Sequence, residues 1–150
     1  MAYRPQEDRK IEKLQPPHSL DAEQAVLGAV LKDSDAMNQV IEVIEDENHF
    51  YVPKHQAIFK VARALYERGE PTDITMVTNE LQREDLLTRA GGRVYLVELV
   101  EGVASTANLV AHATIVLERS ILRRLIGTSN AVLERCSTFE QPGAALLALA

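Results

Sequence analysis

A chain of 150 residues with one cysteine, Cys136, has no means of forming an internal disulfide. That suits a reducing, cytoplasmic setting. Tryptophan is absent and aromatic residues make up 5% of the chain, so the core has to be built from aliphatic side chains. No apolar run approaches the roughly 20 residues of a membrane span, and the charged first residues lack the apolar stretch of a signal peptide. Positive charge is scarce too. Sixteen Lys and Arg stand against twenty-two Asp and Glu, for a net charge of −6, with the acidic excess between Asp21 and Glu101. Duplex DNA is held chiefly by Lys and Arg neutralising phosphates. Such a domain is expected to bind DNA weakly or not at all by itself; a protein partner suits it better. No G-x-x-x-x-G-K-[ST] phosphate loop is present, which leaves nothing to hold ATP in these residues.

What the chain does contain is helix punctuation. Pro16 and Pro17 force an extended lead, Ser19 is a good N-cap, and Asp21 and Glu23 fall where the helix dipole favours carboxylates. Ala22, Ala25, Val26, Leu27, Val30 and Leu31 recur at helical spacing, predicting a helix over Leu20–Lys32. Gly28 interrupts it at a cost of about 1 kcal/mol against alanine, which predicts a close neighbour there. Asp33-Ser34-Asp35 breaks the chain before a second helix carrying Met37, Val40, Ile41 and Ile44. Phe50-Tyr51-Val52 is an apolar connector into a third, about Lys54 to Arg68, with Ile58, Phe59, Ala62, Leu65 and Tyr66 inward. Asp73 caps a fourth carrying Ile74, Val77 and Leu81, and Gly91-Gly92 makes a tight turn into a fifth carrying Val94, Tyr95, Leu96, Leu99 and Val100. No segment alternates long enough for a strand, so the fold class is all-α.

The last helix, capped by Asn108 and running from Leu109 to about Arg135, is unusually long. At about 100° per residue, Leu109, Ala113, Val116, Leu117, Ile121, Leu125 and Val132 form one broad face. Ile115, Leu122, Ile126 and Leu133 form a second stripe, and His112, Arg119, Arg123 and Asn130 a polar wedge. A helix apolar on two sides has to be covered on two sides. Pro142 to Leu149 supplies one cover, as the second arm of a hairpin turning at Ser137 to Gly143. The stripe Ile115, Leu122, Ile126, Leu133 is left for a second chain. The expected organisation is a flexible charged tail over 1–15, a compact globular helical domain over 16–104, and a helical hairpin over 105–150 whose second arm is cut short, since Leu146 to Ala150 ends as an uncapped apolar run.

Candidate chemistry is thin. His18, His49, His55 and His112 lack metal-ligand spacing and Cys136 has no cysteine partner, so they read as surface or capping residues rather than metal ligands. His55 is expected to make a local hydrogen bond at its helix start. Glu45-Asp46-Glu47 lacks the spacing of a calcium loop and reads as a solvated acidic loop. Asp33 and Asp35 read as caps. Gly91-Gly92 has no lysine for a phosphate. No catalytic, cofactor-binding or metal residue is assigned. Arg119, Arg123 and Arg124 stay open between two roles: the polar flank of an interface helix, or residues facing a DNA channel in an assembled ring.

Several short motifs occur in a telling order: Ala22-Glu23-Gln24-Ala25-Val26-Leu27-Gly28; Phe50-Tyr51 with His55-Gln56-Ala57-Ile58-Phe59; Gly69-Glu70-Pro71-Thr72-Asp73; Gly91-Gly92-Arg93-Val94-Tyr95-Leu96-Val97-Glu98-Leu99; and Ala107-Asn108 ahead of Val116-Leu117-Glu118-Arg119 and Arg123-Arg124-Leu125-Ile126. From Pro16 to about Ile126 the chain resembles the N-terminal domain of bacterial replicative DNA helicases, the DnaB-type hexameric helicases. The resemblance implies a globular helical domain with a helical hairpin. Hairpins of two subunits pair, and three pairs build the collar of a hexameric ring that receives primase and contributes to loading by a helicase loader. It also implies a separate motor domain using ATP and Mg, which these residues do not contain. A different class of function, a free-standing helical adaptor that borrows this domain to bind primase or helicase, accounts for the same motifs. A small all-α enzyme requires a convergent polar site that the sequence does not show.

Overall fold

In the computed structural model, residues 15–138 are described. The expected tail, apart from Gln15, and the expected second hairpin arm, Pro142 to Leu149, lie outside the described residues. The order is α1 (Leu20–Lys32), α2 (Ala36–Val40), a 3-10 turn (Glu47–His49), α3 (Pro53–Glu67), α4 (Ile74–Arg83), α5 (Gly92–Glu101) and α6 (Leu109–Thr138), with no strand among the described residues.

The first helix starts as its caps dictate. Ser19 is extended, and its hydroxyl accepts from the Ala22 N–H at 3.3 Å. α1 is the central rod. Ala22, Val26, Leu27, Ala29, Val30 and Leu31 are all buried, and the helix packs against each of the other five. Gly28 has the close neighbour its position predicted. A Cβ there would overlap the Leu99 carbonyl oxygen and a Val103 methyl. α5 therefore crosses α1 backbone against side-chain-free backbone, and only glycine permits the approach.

α2 is shorter than the periodicity suggests. It stops at Val40, with Met37, Val40 and Ile44 buried and Ile41 only half-buried. Val40, Ile41, Val43 and Ile44 are β-branched and poor helix formers, and the chain turns there with Val43 N–H bonding back to the Val40 carbonyl. The acidic loop that follows has a local purpose: Asp46 accepts from the Asn48 N–H at 2.8 Å and starts the 3-10 turn.

α3 begins with Pro53 at its first position and buries Ile58, Phe59, Val61, Ala62 and Leu65. Arg68, just past its end, donates to Glu70 and Glu80 at 3.1 Å each, and the Arg68 bond holds the Glu80 carboxyl below its ordinary range. Asp73 caps α4 through the Met76 N–H at 3.0 Å. Thr72 is buried beside it, donating to the Val30 carbonyl and taking its own N–H to the Ser34 hydroxyl. Gly91 and Gly92 both take positive φ, +90° and +75°, so their turn into α5 is one L side chains resist. Val94, expected inward, is 72% exposed on α5.

Replacing Gly28 by alanine gains helix propensity yet forces α1 and α5 apart. The expected net outcome is a loss of about 1–3 kcal/mol, the usual range for over-packing a tight contact, read as a lower urea midpoint. Unchanged or higher stability would show that the α1–α5 crossing relaxes freely.

Candidate interaction site on the long helix

The expected cap position Asn108 accepts the first bond of α6 through its carbonyl, from the His112 N–H at 3.0 Å. The helix then runs thirty residues, continuous through Thr138. Among the described residues, its buried side chains all lie in its first half. Leu109, Ala113, Val116 and Ser120 are buried against the body at i, i+4, i+7 and i+11. Ile115 is partly buried against the same core. From Ile121 onward the large apolar side chains are exposed. Leu122 is 42% exposed, Ile126 45% and Leu133 64%, and Ile121 and Leu125, assigned by sequence to the covered face, are exposed at 44% and 58%. The cover expected for the face of Ile121 and Leu125, Pro142 to Leu149, lies outside the described residues.

The body grips α6 by polar contacts that the sequence hides. Arg123, expected in an outward polar wedge, faces inward. It donates to the Pro17 carbonyl at 2.7 Å and the His49 carbonyl at 2.8 Å, and its guanidinium lies 5.4 Å from the centre of the Tyr51 ring. Burial holds the Arg123 pKa below its ordinary value. His18 stacks on the same Tyr51 ring, with ring centres 4.3 Å apart. One turn earlier, the Ser120 hydroxyl meets His49 Nδ1 at 2.9 Å, and both residues are buried. His49 is therefore an inter-element contact and no surface residue. Arg119 is half-buried and Arg124 exposed.

Tyr51 connects this clasp to a second, deeper network. Its N–H and that of Val52 donate to the Glu23 carboxylate at 3.0 and 3.3 Å. The same carboxylate meets His55 Nδ1 at 2.8 Å, and His55 Nε2 meets the Tyr95 hydroxyl at 2.6 Å. One tautomer, with the proton on Nδ1, satisfies every atom. Nδ1–H donates to Glu23, Nε2 accepts from Tyr95, and the Tyr95 oxygen accepts from Gln24 at 3.5 Å. Burial raises the Tyr95 pKa, which keeps the phenol a donor. The Lys54 ammonium sits 4.1 Å from the centre of the Tyr95 ring. The expected local bond of His55 is thus a bridge between α1 and α5, and Glu23, in the first turn of α1 as expected, also serves the start of α3. The signal for this was present in three separate motifs, each contributing one member, Glu23, His55 and Tyr95; their convergence was not.

Chemically the cluster is closed. Glu23 and His55 are buried, and among the described residues no buried side-chain polar atom lacks a partner. Nor do the described residues place three His, Cys, Asp or Glu side chains together as a metal site. No helix among them is long and apolar enough to cross a membrane.

The fold and the half-covered helix define an all-helical packing module, a body from which one long helix projects. Residues 15–118 match the model of the DnaB-like helicase N terminal domain, and the chain belongs to that family. It is 42% identical over 128 residues to the replicative DNA helicase DnaB of Leifsonia xyli subsp. xyli, covering 85% of this chain and 28% of that protein. It is also 42% identical over 119 residues to the replicative DNA helicase DnaC of Bacillus subtilis, covering 79% and 26%. The chain thus spans about a quarter of the length of these relatives. Among solved structures it is similar to the N-terminal domain of DnaB helicase from Mycobacterium tuberculosis, with a TM-score of 0.85 and 38% identity over 90% of this chain and 96% of that one. A DnaB-like replicative helicase studied for its interactions with primase aligns with a TM-score of 0.73 and 27% identity, over 87% of this chain and 30% of that one.

Glu23→Ala strands three donors in the interior, each worth roughly 1–3 kcal/mol when left unmade. A loss of about 3 kcal/mol or more is expected by chemical denaturation. Tyr95→Phe removes only the outer bond and is expected to cost about 1 kcal/mol. Equal costs for the two would place the anchor of the network at Tyr95 instead of Glu23.

Proposed function

We propose that this chain is the collar domain of a replicative DNA helicase, a non-catalytic module that pairs subunits through α6 and presents a docking surface for primase or a helicase loader. One observation carries the reading: beyond Ser120 the helix keeps a continuous apolar face, Ile121, Leu122, Leu125, Ile126 and Leu133, exposed to solvent. Burying a leucine-sized side chain contributes about 1.5–3 kcal/mol, and several are needed to offset the roughly 4–15 kcal/mol that association costs in lost freedom. A face of five large aliphatics has the means to do so when paired with its own copy. In a ring this pairing yields a trimer of dimers. ATP hydrolysis with Mg, and DNA unwinding, fall to a motor domain outside these residues. Primase as a partner is supported by the helicase relative studied with it; the net charge of −6 favours a protein partner over DNA.

Leu122→Asp and Ile126→Asp place a charge within the face without touching the core. Both variants are expected to sediment as single chains where the parent associates, with unchanged circular dichroism. An association state equal to the parent's would remove this face as the interface. Titration of labelled primase against parent and variants, by fluorescence anisotropy, then tests whether docking depends on the pair.

A further inference from the structure

The seam by which α6 packs on the body changes character along its length. Its buried members, Leu109, Ala113, Val116 and Ser120, follow one another at steps of four, three and four. The next step of three reaches Arg123. Steps of three and four keep side chains on one face of a helix, so Arg123 continues the seam and its inward turn follows. The first three members are apolar. The last two positions are polar: Ser120 meets the buried His49 ring at 2.9 Å, and Arg123 donates to the Pro17 and His49 carbonyls at 2.7 and 2.8 Å.

The two ends of the seam hold the helix in different ways. Burial of apolar surface is non-directional, so Leu109, Ala113 and Val116 fix depth better than angle. Hydrogen bonds weaken steeply when bent, and a planar guanidinium presents its donors as a rigid fork. The acceptors are themselves held. His49 is buried, and the Tyr51 N–H just beyond it is bound to Glu23 at 3.0 Å. An aliphatic side chain at the Arg123 position would extend the apolar seam. A polar residue in an otherwise apolar helix seam gives up packing and specifies one geometry, as single polar positions do in coiled coils.

We infer that Arg123, backed by Ser120, is the specificity-determining residue of α6: it fixes the direction in which the helix leaves the body and so aims the pairing face. Ile121, Leu122, Leu125 and Ile126 lie within one turn of Arg123 on the same helix and turn with it. The aiming of a second copy rests on the pairing role of α6; the fixed direction does not. Cys136 is exposed thirteen residues beyond Arg123. At about 1.5 Å per residue it stands about 20 Å further along the axis. A swing of about 15°, the ordinary scatter of helix crossings, moves it about 5 Å.

The test places one spin label on the native Cys136 and another on α4 through Gln82→Cys. The labelled full chain is diluted into an excess of unlabelled Cys136→Ser chains, so that only distances within one chain are read. The parent is expected to give one narrow distance distribution. Arg123→Leu keeps the seam apolar; with helical circular dichroism unchanged, it is expected to broaden the distribution about twofold or more. Arg123→Lys gathers its donors on one nitrogen and is expected to fall between the two, which reads the clasp even where Arg123→Leu does not fold. Distributions as narrow in the variants as in the parent overturn the proposal. Undiluted chains labelled at Cys136 alone report the distance across a pair, expected to be single in the parent and spread in Arg123→Leu. A single distance in both overturns the aiming of the pair. No cross-pair distance in the parent removes the pairing reading and the aiming with it, while the within-chain result still decides the fixed direction.

Discussion

The carboxylate of Glu23 is the constraint on which the rest of the body depends. It is buried on the central helix and accepts from the Tyr51 and Val52 backbones and from His55. A buried carboxylate is tolerated only when its lone pairs are taken up, and here they are taken up by the N-terminal end of α3. One side chain therefore does for α3 what a cap residue does for its own helix, and through His55 and Tyr95 it extends the same tie to α5. Gly28, on the same helix, lets α5 come close enough for that tie to close.

The connector Phe50-Tyr51-Val52 is where this interior network meets the long helix. Phe50 is buried against Phe59, with ring centres 4.9 Å apart, while Tyr51 gives its backbone to Glu23 and its ring to Arg123. Arg123 in turn holds the carbonyls of Pro17 and His49. The lead, the 3-10 turn and α6 are thus fixed together by one guanidinium, whose several donors suit it to span carbonyls from different segments. Beyond this point the large apolar side chains of α6 are exposed among the described residues.

The helices themselves were legible in the residues. Ser19 and Asp73 cap as their types predict, α1 has the expected bounds, and Gly28 has the expected close neighbour. The exposed stripe on α6 was also readable, as apolar residues at helical spacing with no evident intramolecular cover. A helical wheel shows which residues share a face and not where the body ends along the axis. Ile121 and Leu125 lie past that end and are exposed.

What the sequence determined alone depends on residues within a turn or two of one another: the Ser19 and Asp73 caps, the helical period, the all-helical class, and the existence of an apolar surplus on the last helix, though Asp35, also read as a cap, makes no side-chain cap bond. The motifs added the family. Tertiary structure decided the polar partnerships. His55 reaches Glu23 across 32 positions and Tyr95 across 40, and Arg123 reaches Pro17 across 106. Such bonds depend on the angle and depth at which helices dock, which side-chain packing at the crossings sets. That is why a histidine expected to bond locally at a helix start and an arginine placed in a polar wedge turn out to tie distant segments together.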